Sequence, residues 1–401
     1  MDIYSNYKRS KRTAKGFFEW SKNKKVKLWK GLLALAASSL FLFVLIWQLY
    51  PRDISPPDIV YSHRKISHIE GRGFVPGPLN MKKMKTKGCV ADGILSDYGS
   101  DRENSVALIN RSNCMYLHRA LETWAAPPDF DEAQRVMEKI DKPGIIYGMF
   151  ISEAIWKKAR YYYSDEKRYF DFSEMCRSGS DNVWGEHTCK PSFKKKEYQE
   201  YVRFITRRAM DMGIQSFLFG QIYYQDTPDH SESNIPEIIK EMKDYANEKG
   251  IQIAVGAQTG AITDEKYLRF FDYIEGGVGM GDDGKIESGP CWSHLESCWG
   301  LLWHENFSKK ANNVILHLDW SGLKFDDMSV FARMSQEKRI ATLKELHSYF
   351  TSRQMGFMMP MMATINKTNG GCYGPKKRFY SADNKYKCKD EDAINAILGK
   401  E

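Results

Sequence analysis

An α/β fold, a TIM-like (β/α) barrel of seven or eight strands preceded by a single N-terminal transmembrane helix, is what this sequence predicts. Three observations carry that expectation. Residues 31–50 form an uncharged apolar run. From residue 88 onward, short apolar runs alternate with amphipathic stretches. No apolar run is followed by the glycine pattern of a dinucleotide-binding turn or a phosphate-binding loop, which removes the usual alternative use of strand–helix alternation.

The N-terminal part explains the charge of the whole. Residues 1–30 hold ten Lys or Arg against Asp2 and Glu19, a net charge equal to the +8 of the entire chain. The remainder carries 49 basic and 49 acidic residues, so the basicity gives no reason to expect a nucleic-acid partner. Twenty residues at ~1.5 Å each span the ~30 Å hydrocarbon layer, and Trp29, Trp47 and Tyr50 sit near the ends of the run, where amphipathic rings favour the interface. A basic flank places the N-terminus in the cytoplasm and the rest on the extracytoplasmic side, at the cell surface or in a secretory lumen. The run is too long for a cleaved signal, and its exit lacks a small-x-small site. The expected organisation is a basic tail (1–30), a bilayer-spanning helix (31–50), a Pro/Gly-rich linker (51–87) and a folded domain (88–401).

All eight cysteines lie beyond the anchor: Cys89, Cys114, Cys176, Cys189, Cys291, Cys298, Cys372 and Cys388. An even count in an oxidising compartment reads as disulfides. Spacing suggests four local bridges, 89–114, 176–189, 291–298 and 372–388, out of about 105 connectivities for eight cysteines. No CxxC or Cys/His pair has metal-ligand spacing, and neither a metal nor a cofactor is implied. Three glycosylation-type sequons begin at Asn110, Asn306 and Asn366.

The candidate strands are 88–95, 144–151, 214–222, 251–258, 272–280, 313–320 and 355–363, with 378–383 a candidate eighth. Each has the length and continuous apolarity of a strand buried on both faces. Helical patterns occupy 130–140, 196–213, 235–250, 264–271, 335–356 and 391–398. Two of these end in Gly213 and Gly250, the expected helix stop. Seven strands in ~300 residues fit a barrel better than a doubly wound sheet.

In such a barrel, function gathers where the strands end. Those positions offer Asp92, Glu153, Glu275 and Asp319 as candidate catalytic acids, with Asp97, Asp101, Asp282 and Asp283 in adjoining loops. A carboxylate in an apolar strand is costly unless it is paired or used. Asp319, in His-Leu-Asp-Trp, is the leading candidate; its alternative is an ion pair or a helix cap. Glu153 has the alternative of a helix N-cap, Glu275 that of a turn residue, and His317 that of a satisfied core histidine. Gln221, Tyr223, Gln258, His317 and Trp320 are candidate substrate-binding residues, together with Trp292 and Trp299 from a Trp-rich segment after the 272–280 run. The alternative for those indoles is packing against outer helices. The Tyr-rich loop 159–193 reads as a lid or a further subsite.

Paired carboxylates beside aromatic platforms suit glycosidic cleavage, in which one acid protonates the leaving oxygen and the other attacks or activates water. With its anchor, strand-end acids and Trp-rich rim, the chain over residues 88–400 resembles the glycoside-hydrolase barrel superfamily. The resemblance implies a membrane-anchored hydrolase acting on a polysaccharide or glycan. One competing reading is a non-catalytic carbohydrate-binding barrel gripping glycan through Gln221, Tyr223, Gln258 and the tryptophans. Another is a metal-dependent phosphodiesterase or deacetylase, since the stretch at Asp101–Ser105 resembles the Glu-Asn element of glycerophosphodiester barrels.

Overall fold

The computed structural model describes residues 76–96, 101–260, 262–281, 283–286, 308–320, 326–365 and 371–399. The predicted tail and anchor, Asp97, Asp282, Cys291, Trp292, Cys298, Trp299, Asn306 and Asn366 lie outside the described residues. No helix among the described residues is long and apolar enough to cross a membrane.

The folded chain begins before the expected boundary at 88. Helix α1 (Met81–Thr86) starts at Asn80, whose side chain caps the Lys83 amide. It buries Met84 completely. Lys85 Nζ donates to Asn313 Oδ1 and the Gln354 carbonyl (2.9 and 2.8 Å), so residues 76–87 close the N-terminal end of the strands.

The strand–helix alternation then runs β1 (Gly88–Ala91), α2 (Arg102–Arg111), β2 (Tyr116–Glu122), α3 (Phe130–Met137), β3 (Ile146–Ile151), α4 (Lys196–Asp211), β4 (Ser216–Phe219), α5 (Ile235–Glu248), β5 (Ala254–Gln258), α6 (Glu265–Leu268), β6 (Tyr273–Gly277) and β7 (Val314–His317). Helices α7 (Asp327–Arg333) and α8 (Gln336–Thr351) precede β8, made of Gly356–Phe357 and Met359–Thr364. These strands pair in parallel with their neighbours. β8 closes the ring: Gly356 and Phe357 pair with Ile315 and Leu316 of β7, while Met359 and Pro360 pair with Cys89 and Val90 of β1. The β1–β8 register slips between Val90 and Ala91, beside Pro360, which has no amide to donate. Gly213 and Gly250 adopt positive φ (92° and 69°) as α4 and α5 end, as the sequence predicts.

Two strand assignments differ from expectation. The missing barrel strand is β2, whose sequence YLHRALE carries His118, Arg119 and Glu122 toward buried positions and so escapes an apolar-run criterion. The 378–383 segment instead forms β9 (Phe379–Ser381), an antiparallel strand on Met362–Thr364, followed by α9 (Glu391–Leu398). Three of the four expected bridges are present, 89–114, 176–189 and 372–388.

The 152–195 segment between β3 and α4 carries two small antiparallel strand pairs. Ile155–Trp156 pairs with Thr188–Cys189, and Tyr162–Tyr163 with Arg168–Tyr169. Its aromatic side chains Tyr161, Tyr163, Phe170 and Phe172 are buried, so much of the Tyr-rich loop is a secondary core.

Candidate active site

The barrel interior is polar where such barrels usually hold branched aliphatic residues. Tyr273 and Tyr116 hydroxyls meet Ser216 Oγ (2.9 and 3.1 Å), and Tyr116 OH lies 3.0 Å from His118 Nδ1. His118 Nε2 lies 3.1 Å from Glu275 Oε1. One proton assignment satisfies the whole column. Tyr273 donates to Ser216, Ser216 to Tyr116, Tyr116 to His118 Nδ1, and His118 Nε2–H to Glu275. That assignment needs a neutral His118, and burial indeed pushes its pKa down to about 4.

His317 approaches the same Glu275 oxygen at 2.5 Å, as an ion pair more than a well-directed hydrogen bond. Burial disfavours the charge on both partners, but mutual attraction outweighs it. Glu275 is held below the ordinary carboxylate range, and His317 is held above the ordinary imidazole range. Glu275 is fully buried and His317 is 1% exposed. These two sequence candidates therefore lie inside the barrel, beneath its rim. Trp320 (5% exposed) covers them, its ring 4.5 Å from His317 and 6.1 Å from His118.

The predicted rim residues converge on the C-terminal ends of the strands. Glu153, two residues beyond β3, is 1% exposed. Gln221 Nε2 donates to its Oε1 at 2.7 Å, while Oε2 has no hydrogen-bond partner among the described residues. No helix follows it, so it is not an N-cap. Tyr223 OH donates to Gln221 Oε1 (2.7 Å), and the Gln221 amide donates to Gln258 Oε1 (3.1 Å). These contacts tie the ends of β3, β4 and β5 into one polar rim. Gly220 is required there: a Cβ would strike Glu153 Oε2 and the Phe150 ring.

Asp319 follows β7, on the strand opposite β3 in the ring. It is half-buried, and no ion pair holds its carboxylate among the described residues. Its amide donates to Asp327 Oδ2 at 3.0 Å. Asp327 also accepts from Val278 (3.1 Å) and Met280 (2.7 Å), clamping the end of β6 to the end of β7. The cap of α7 is Asp326, leaving Asp319 free of that role. Burial pushes both Glu153 and Asp319 up to about 7. Burial raises the Tyr223 hydroxyl above its ordinary range, and the charges of Glu153 and Asp319 add to that rise.

Asp92 is placed differently. Its Oδ2 accepts from the Thr364 amide (3.2 Å) and hydroxyl (3.1 Å), joining β1 to β8. Beside it lies Glu122, raised by burial and by Asp92, and countered by an ion pair with Arg119. Arg119 adopts φ 54° where the β2–β3 register shifts, a left-handed conformation rare for such a residue. Its guanidinium lies 3.7 Å from the Phe150 ring centroid and 4.6 Å from that of Trp320. His118, Arg119, Glu122 and Asp327 are site components absent from the sequence candidates. For the three on β2 the sequence signal is a charged heptapeptide, YLHRALE, at the spacing where a strand is missing; Asp327 has none.

Asp101 caps α2 through the Asn104 amide, so the Asp101–Ser105 stretch is a helix start. Asp283 sits in an exposed turn facing Lys285. Among the described residues no group of three His, Cys, Asp or Glu side chains has metal-binding geometry.

No family model matches the chain, and no curated protein matches it. Three solved structures are among those similar to it. A GH27 β-L-arabinopyranosidase from Geobacillus stearothermophilus shares 12% identity over 71% of each chain, with a TM-score of 0.37. A cyclic α-maltosyl-(1→6)-maltose hydrolase from Arthrobacter globiformis shares 13% identity over 83% of this chain and 78% of that one, with a TM-score of 0.43. A debranching enzyme from Nostoc punctiforme shares 10% identity over 78% of this chain and 71% of that one, with a TM-score of 0.44.

Proposed function

We propose that this chain is a glycoside hydrolase acting on a polysaccharide or glycan, with Glu153 and Asp319 as its acid and base. The observation that carries this reading is the pair of carboxyl groups, without an ion pair among the described residues, at the ends of opposite strands, each pushed up to about 7 by burial. Groups of that pKa are half-protonated near neutrality, so one can give a proton while the other holds a charge. Glu153 is assigned as the acid: Oε1 is fixed by Gln221, and a proton on Oε2 has no acceptor among the described residues. It passes to the glycosidic oxygen as the C–O bond breaks. Asp319, the more exposed of the two, attacks the anomeric carbon or takes a proton from the attacking water.

The other candidate acids are committed to positioning. Glu275 is neutralised by His317, and Asp92 bridges β1 and β8. A binding protein would be expected to tie up all of its rim acids, which Glu153 and Asp319 do not follow. The proposed location is extracytoplasmic, anchored through residues 31–50. The three disulfides support an oxidising compartment.

The test is sugar release by the full-length chain from a panel of envelope and secretory glycans, beside Glu153→Gln and Asp319→Asn. Each variant is expected to lose at least ~100-fold in kcat while remaining folded. Full activity in either variant removes that residue from the mechanism.

A further inference from the structure

Beyond the acids lies a group of aromatic side chains that the hydrolytic step does not use. Trp124, Trp184 and Tyr224 come from three different segments, after β2, in the 152–195 insertion and after β4. Trp124 and Trp184 rings meet at 5.4 Å, Trp184 and Tyr224 at 5.9 Å, and Tyr224 and Tyr223 at 4.4 Å. Tyr223 in turn bonds Gln221, which bonds Glu153. The aromatic group is thus continuous with the proposed acid, and all four rings are half-buried.

A cation sits on this platform. Lys190 Nζ lies 3.4 Å from the Tyr224 ring centroid and 5.8 Å from that of Trp184. Its backbone is fixed on both sides: the Arg177 amide donates to its carbonyl (2.8 Å), and its own amide donates to Ser180 Oγ (3.1 Å). The adjacent Cys189 is bridged to Cys176. Three other lysines of this region have acidic partners, Lys157 with Asp181, Lys194 with Glu232 and Lys196 with Glu200, while Lys158 lies 2.6 Å from His187 Nε2. Lys190 has no ion pair among the described residues; it is half-buried, and after burial Arg177 disfavours its charge while Glu153 favours it. Partial burial costs this ammonium hydration, the ring faces offset part of that cost, and an anion reaching it would offset more. Flat rings beside it supply the stacking surface for the apolar face of a sugar.

We propose that Lys190, Tyr224 and Trp184 form a subsite for an anionic sugar residue, so that the substrate is an acidic glycan or polysaccharide. This assignment rests on the hydrolase reading only for its claim that the bound glycan is cleaved. The anion can be a uronate carboxylate or a sulfate; both present oxygens to the ammonium.

The test measures binding by tryptophan fluorescence, using the full-length chain carrying Asp319→Asn to prevent turnover. The probes are tetrasaccharides of alginate, pectate and hyaluronan, each beside its carboxyl-reduced form, and of chondroitin sulfate beside its desulfated form. At least one charged probe is expected to bind about tenfold tighter than its neutral counterpart. Adding Lys190→Met should abolish that preference while leaving neutral binding in place, and Lys190→Arg should restore it, which excludes misfolding as the cause. Equal binding of every charged and neutral pair overturns the proposal, as does a preference that survives Lys190→Met. Lys190-dependent binding without sugar release by the wild-type chain keeps the subsite and defeats the hydrolase. Release from neutral glycans with no charge preference does the reverse.

Discussion

At the scale of single residues, the site is built from what is left uncommitted. Four strand-end acids were legible as candidates, but their chemistry depends on neighbours from distant parts of the chain. Glu275 meets His118 across 157 positions of sequence, which makes it a buried charge and not a reactive one. Glu153 lacks such a partner, and Gly220 leaves the room its carboxyl occupies. Gly220→Ala is expected to displace that carboxyl and the Phe150 ring. The cost should be ~1–3 kcal/mol of stability, with activity falling by more than the folded fraction. Thermal unfolding and kcat measured on the same preparation separate the two effects. Unchanged kcat at unchanged melting temperature means Glu153 needs no such space.

At the scale of elements, the barrel strands position the chemistry while the insertion after β3 shapes the mouth. The insertion carries Trp184 and Lys190 on a segment tied by the 176–189 bridge, a separation of 13 residues. Replacing both cysteines by serine should loosen this segment without unfolding the barrel, whose strands make their own ladder. Hydrogen exchange is expected to quicken across residues 176–193 and to stay unchanged in β3 and β4. Equal loss of protection in the strands would mean that the insertion and barrel fold as one cooperative unit. The value of such a bridge, ~3 kcal/mol for a short loop, bounds the local effect.

At the scale of the molecule, the proposed acids place function in opposition to stability. Glu153 and Asp319 titrate near 7 when folded but near 4 when unfolded. Between those values the unfolded chain has released protons that the folded chain still holds, so their contribution makes stability fall as pH rises from about 4 to about 7. The Glu275–His317 pair behaves differently. Glu275, lowered, contributes stability above its unfolded pKa and loses it as pH falls through its folded value. His317, raised, contributes below its unfolded pKa and loses that as pH rises through its folded value. Glu153→Gln should therefore melt higher than wild type at pH 8, by the equivalent of ~1–3 kcal/mol, and should show little difference at pH 4. Calorimetry at the two pH values decides it. A lower melting temperature for the variant at pH 8 would show that the Glu153 carboxylate is favourably held as an anion.

The sequence by itself determined the alternation of strands and helices, three of the bridges seen here, the glycines that end α4 and α5, and the set of strand-end residues from which the site is drawn. Each of these is local: a period of apolar residues, a short cysteine spacing, a helix stop. The tertiary structure alone decided that YLHRALE is a barrel strand, that β8 joins both β7 and β1, and that residues 76–87 belong to the fold. It also decided which acids are spent on ion pairs and which remain available. The physical reason is that burial and partnership are properties of the closed ring. A buried His or Glu looks like a surface residue in the sequence until the folded ring supplies its partner, as β6 and β7 bring Glu275 to His317.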